Sequence, residues 1–185
     1  MKRTVGVIVL VLLFLGAVVG GYIYFSGMFS KEKTPEEEQE AGIGVTADFF
    51  TLRIYYPADN RLQLEERMAP RKTSLTTVAE ATLEEYLKGP AGSSDSGIPR
   101  NVELLGLYRG ADRILYVNLS DEFRRNFQGD ALSEYLLLKG LYESLISNVE
   151  DIQDVKVLIE GKEVETLGGH LYLFYPLKEV VSSEF

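Results

Sequence analysis

The feature that most constrains this chain is an uncharged run at its N-terminus, "TVGVIVLVLLFLGAVVGGYIYF", with no charge from Thr4 to Phe25. Drawn as a helix, Val5 to Phe25 is about 31 Å long, against about 30 Å for a bilayer core. Lys2 and Arg3 precede it, and Tyr22, Tyr24, Phe25 and Phe29 follow as an interfacial aromatic belt. A cleaved signal peptide is the competing reading. Signal h-regions are usually about 7–15 residues long and end in an A-x-A-like site. This run is longer, and "GAVVGGYIYFSG" offers no good small-x-small site before a polar start. The expectation is a retained single-pass transmembrane anchor at 5–25, with residues 1–4 cytoplasmic and the rest outside the cytoplasm. The sequence has no cysteine, so attachment through a lipidated Cys is excluded.

The remainder is acidic. Net charge is −9; Lys2 and Arg3 contribute +2, which leaves −11 for residues 26–185. Such a surface repels phosphate backbones and anionic lipid, so no nucleic-acid partner is expected, and a neutral or cationic partner is accommodated more easily. Residues 26–44 include "SKEKTPEEEQEAGIG", too polar to bury a core, and read as an acidic flexible linker. Residues 45–185 read as one globular domain, long enough to bury about two thirds of its unfolded surface without disulfides.

Within that domain "FTLRIYY" alternates, placing Phe50, Leu52, Ile54 and Tyr56 on one face of a strand closed by Pro57. "RLQLEERM" repeats the signal with Leu62, Leu64 and Met68. Ser74 to Lys88 carries a helical stripe, with Ser74, Thr76 or Thr77 as caps and a Thr77–Glu80 capping box, stopped by Gly89-Pro90. "NVELLGLYRGADRILYVNLS" predicts a hairpin around Arg109–Asp112. A second, more deeply buried helix spans about Asp130 to Asn148, and "DVKVLIEG" is a further strand. With a last strand near "GGHLYLFYPL", the order β-β-α-β-β-α-β-β predicts an α+β fold: a mixed sheet with two main helices packed on one face.

The chain is poor in catalytic groups. A single histidine, His170, and no cysteine leave Cys-His catalysis and soft metal sites without partners. There is no G-x-S-x-G elbow, calcium loop or nucleotide-binding glycine motif. The reading is therefore no enzyme, no cofactor and no metal. Two interaction signals remain. Gly16 and Gly20 form a G-x-x-x-G in the anchor, which either lets two helices pack into a homo-oligomer or reflects the ordinary abundance of small residues in spanning helices. Tyrosine is abundant, with 11 copies, clustered at Tyr55-Tyr56 and near Tyr172, Phe174 and Tyr175. Gly168 and Gly169 relax the chain before the last strand, which His170 opens on the same side as Tyr172 and Phe174. That side is the candidate binding edge, with Leu171, Leu173 and Tyr175 on the other.

The runs "LRIYYP", "VAEATLEEYLKGP", "IPRNVELLGL", "YVNLSDEFRRNF" and "VLIEGKEVETLGGHLYLFYPL" resemble the GerMN domain family of spore germination and sporulation. The resemblance covers roughly Phe49 to Leu177. It implies a non-enzymatic α+β module of the bacterial cell envelope, similar to ring-building motifs, that docks a protein complex or peptidoglycan. No catalytic residue comes with it. The alternative function is a small-ligand sensor or carrier with the tyrosine-rich strand as a pocket wall.

Overall fold

Alternation sets the first strand, β1 (Phe49–Ala58), whose Leu52, Ile54 and Tyr56 are fully buried in the computed structural model. The structure describes residues 48–72, 74–92 and 97–182. β1 pairs antiparallel with β2 (Arg61–Pro70) through a two-residue turn in which Asp59 and Asn60 both have positive φ. That turn matches the twist of a hairpin, and Asp and Asn tolerate it best after glycine. The strand runs through Pro57 instead of stopping there. Arg53 and Tyr55 turn their N–H groups away from β2, and Pro57 shares their parity, so its missing donor costs no ladder bond.

β2 presents its apolar face outward. Thr51 faces Met68 and Tyr55 faces Leu64, on the side away from the core, and both Leu64 and Met68 are exposed. Its inward side carries Glu65, Arg67 and Ala69. There the Arg67 guanidinium lies 5.7 Å from the Tyr56 ring and Nη2 donates to Glu65 at 2.8 Å.

The helices follow their caps. α1 (Leu75–Lys88) begins at Ser74, whose Oγ accepts the Thr77 N–H, and ends at Gly89 with φ 79°. The Thr77–Glu80 box does not form, because Thr77 lies inside the helix and donates its hydroxyl to the Ser74 carbonyl. β3 (Leu104–Arg109) and β4 (Ile114–Leu119) make the expected hairpin. A short α2 (Glu122–Arg125) follows, then α3 (Ala131–Asn148), capped by the Asp130 carboxylate at the Ser133 N–H, 2.9 Å away. β5 (Asp154–Ile159) joins β4 in parallel, and α4 (Leu177–Ser182) closes the described chain. Core side chains come from α1, α3, β1 and the inward faces of β4 and β5.

Two expectations are corrected. The strands form two sheets, β1-β2 and β3-β4-β5, and not one mixed sheet. The free edge of β1 is taken by α3: Ser144 Oγ accepts the Tyr55 N–H, and Asn148 both accepts from Arg53 N–H and donates to its carbonyl. Gly140, one turn earlier, completes the stripe, since a Cβ there would lie 2.5 Å from the Tyr55 carbonyl oxygen. A helix thus occupies the edge where a third strand would have paired. The expected last strand is also absent. Residues 163–176 form an irregular loop crossing β5, and α4 packs against α3 and β5.

Ala47–Phe185 forms one compact unit. Among the described residues no helix is long and apolar enough to cross a membrane. The expected anchor at 5–25, its Gly16 and Gly20, and the linker at 26–44 all lie outside the described residues.

Candidate functional site

The loop after β5 is fastened by two buried ionic side chains. The first is Glu134, in the first turn of α3 and fully buried. Its Oε1 accepts the N–H groups of Leu167 and Gly168 at 3.0 and 2.9 Å. Its Oε2 accepts the His170 N–H at 3.0 Å and faces His170 Nδ1 at 2.9 Å. Successive backbone donors wrapped round one carboxylate form an anion-binding nest, here filled by the protein itself. The glycines belong to this geometry. A Cβ on Gly168 would sit 2.4 Å from the Phe127 ring and 3.0 Å from Glu134 Oε2, and Gly169 has φ 94°. His170 is therefore a structural ligand of Glu134.

The second fastener is Lys156 on β5, buried although it lies on the sheet's outer face. Its Nζ donates to the Leu173 carbonyl at 3.1 Å and to the Phe174 carbonyl, and pairs with Glu163 at 3.1 Å. Burying an ammonium is costly unless it is paired and fully hydrogen-bonded, and the loop supplies these acceptors.

Between these fasteners the loop exposes three aromatic rings. Tyr172 is 49% exposed, Phe174 41% and Tyr175 52%. Tyr172 lies 5.0 Å from Phe174 and 6.0 Å from Tyr175, centroid to centroid, with planes tilted by 53° and 48°. Three large rings are thus left in water side by side on a backbone that Glu134 and Lys156 hold.

Of the sequence candidates, the structure brings Tyr172 and Phe174 together on this loop and turns His170 toward Glu134. The strand edge they were to form does not exist, because Glu134 claims the N–H groups of Leu167, Gly168 and His170. Tyr175 joins the exposed cluster, contrary to strict alternation. Leu173 is buried. Glu134 and Lys156 were missed by the sequence reading. Their signal was an acid inside the apolar stripe of α3 and a lysine inside "DVKVLI".

The same sheet carries a second aromatic pair. Tyr108 and Tyr116 stack at 4.6 Å with planes 3° apart. Partial burial, then the Asp112 carboxylate, raise the Tyr116 phenol above its usual range, with Glu163 a lesser contributor.

Two other tyrosines serve the core. Tyr56 and Tyr86 stack at 5.9 Å, and burial pushes Tyr56 up to about 12 and Tyr86 well above 10. A cleft of about 590 Å³ near the start of α1 is lined by Phe50, Leu75 and Val78 with charged Arg71, Lys72 and Glu150, and no tyrosine forms its wall. Among the described residues no three His, Cys, Asp or Glu side chains are placed to hold a metal ion.

Comparison with known proteins agrees with this architecture. No curated protein matches the chain. Among solved structures, a Clostridium perfringens chain assigned as a lipoprotein superposes with a TM-score of 0.50 at 20% identity, covering 71% of this chain and 88% of that one. The tandem GerMN domains of the sporulation protein GerM from Bacillus subtilis give 0.51 at 18% identity, covering 71% of this chain and 48% of that one. At such identities the likeness is one of fold. Residues 53–165, from within β1 to beyond β5 and including both fasteners' helix and strand, match the Germane family, described as "Sporulation and spore germination". The chain belongs to the Germane family of sporulation and spore germination domains, the GerMN fold.

Proposed function

We propose that this protein is a non-enzymatic, membrane-anchored, extracytoplasmic interaction module of the bacterial cell envelope, docking a protein complex or peptidoglycan through its aromatic loop. The observation that carries the reading is the exposed Tyr172, Phe174 and Tyr175 cluster on a backbone held by buried Glu134 and Lys156. Ordering a loop costs about 1–2 kcal/mol per residue, and a preformed binding surface avoids that cost at the moment of docking. Family membership supports an envelope role in sporulation or germination. The lipoprotein assignment of the Clostridium perfringens neighbour supports membrane association. In this cysteine-free chain the apolar run at 5–25 takes the place of a lipid.

The small-ligand alternative has less behind it. The tyrosine-rich strand meant to wall a pocket does not form, and Tyr56 is spent in the core.

The test is a photo-crosslinking amino acid at position 172 of the full chain in cells. Expected is a discrete adduct with an envelope component that disappears when Phe174→Ser is added. Adduct formation indifferent to Phe174→Ser, or none at all, would remove the loop from the reading.

A further inference from the structure

The two aromatic groups on the outer face of β3-β4-β5 are joined by acidic side chains. Tyr116 stands opposite Lys156 in the β4–β5 register, and Lys156 holds the Leu173 and Phe174 carbonyls. The Tyr108–Tyr116 stack and the loop cluster therefore share one side of the sheet. Glu163 lies between them, 3.1 Å from Lys156 Nζ and within electrostatic reach of the Tyr116 phenol. Asp112, whose carboxylate lies within electrostatic reach of the Tyr116 phenol, closes the other end and is exposed. Gly110 fits that contact: a Cβ there would lie 2.3 Å from Asp112 Oδ1 and 3.2 Å from the Tyr116 ring.

Resting on the docking function above, we infer that this face receives a basic segment of a partner polypeptide. Its apolar side chains cover Tyr172, Phe174 and Tyr175, and its arginine or lysine groups lie over the tyrosine rings beside Asp112 and Glu163. Aromatic faces are electron-rich and attract cations, at about 0.5–2 kcal/mol each depending on desolvation. Carboxylates beside them add to the attraction. Three cations near this face are already committed: Lys156 to the loop carbonyls, and Arg109 and Arg113 to Asp151. Residues 157–182 hold four glutamates against two lysines, and residues 26–185 carry −11. That field speeds encounter with a cationic partner and repels anionic lipid. A sugar ring stacks on a flat platform, whereas Tyr172, Phe174 and Tyr175 are tilted by 48° and 53°. The geometry thus favours side chains over glycan.

The experiment uses the full chain in neutral detergent and a fluorescent peptide alternating Arg and Leu, with a Glu–Leu peptide as control. Expected is saturable binding of the basic peptide alone, weakening about tenfold as salt rises from about 50 to about 500 mM and the Debye length shrinks. The paired change Phe174→Ser and Tyr175→Ser should abolish binding. Asp112→Asn should weaken it severalfold with an unchanged melting temperature, which separates loss of charge from loss of fold. Equal binding of both peptides, or binding indifferent to the aromatic substitutions, overturns the inference. So does cosedimentation with purified sacculi through the same residues without peptide binding, which would leave docking intact and make the partner a glycan. Continued crosslinking at position 172 without peptide binding rejects only the basic partner; loss of crosslinking as well rejects the docking function.

Discussion

Replacing Glu134 by glutamine alters one functional group at the foot of the aromatic loop, and the structure gives the size of the effect. The glutamine oxygen can take over the Leu167 and Gly168 N–H groups now on Oε1. Its amide nitrogen must then face the His170 N–H, donor against donor, where Oε2 accepted at 3.0 Å. A stranded buried donor costs about 1–3 kcal/mol, and the surviving bonds lose the strength that a carboxylate acceptor confers, about another 1 kcal/mol. The amide is easier to bury than the carboxylate, which offsets part of this loss. We expect a net destabilisation of about 2–3 kcal/mol, or a melting temperature lower by about 6–12 °C for a domain of this size. Circular dichroism of the full chain measures the melting, and amide hydrogen exchange reports Leu167, Gly168 and His170 individually. A melting temperature within about 2 °C of wild type, with those three amides still protected, would refute the clamp.

Gly140→Ala should destabilise by about 1–3 kcal/mol in denaturant melts, despite alanine's better helix propensity. The new methyl meets the Tyr55 carbonyl at 2.5 Å and the Tyr86 hydroxyl at 3.2 Å, and backbone cannot step aside cheaply. Phe174→Ser, by contrast, touches an exposed ring and should leave the melting temperature within about 2 °C while removing the crosslink at position 172. Tyr56, raised by burial from 10.0 to about 12, binds its proton more tightly folded than unfolded. Its contribution to stability is therefore complete below pH 10 and is lost as pH climbs toward 12. In alkaline unfolding titrations Tyr56→Phe should flatten that limb, at a loss of about 1 kcal/mol near neutrality from the bond to the Glu85 carbonyl.

Local signals carried most of the element list. Alternation placed β1, Ser74 and Asp130 opened the long helices, Gly89 ended one of them, and the Leu104–Leu119 hairpin followed from its central polar turn. The resemblance located the family from short runs spread over the domain. Local periodicity misled in two places. In β2, Leu62, Leu64 and Met68 share a face as expected, yet pairing with Tyr55 and Thr51 turns Leu64 and Met68 to solvent. At "GGHLYLFY" the pattern suggests a strand, and the structure forms a loop whose adjacent Phe174 and Tyr175 are both exposed.

The sequence by itself determined what depends on near neighbours: an acidic domain without cysteine, helix and strand periods, caps, and a shortage of catalytic groups. Only the tertiary structure decided what depends on groups far apart in the chain. Ser144 and Asn148 close the β1 edge from 89 and 95 residues away, and this divides the strands into two sheets. Glu134 gathers the backbone donors of "LGGH" across 33 to 36 residues, and Lys156 draws in the carbonyls that follow. A backbone N–H satisfied by a buried carboxylate is not available to a neighbouring strand, and buried donors must be satisfied somewhere. That competition turns an expected strand edge into a clamped loop with its aromatic rings in solvent.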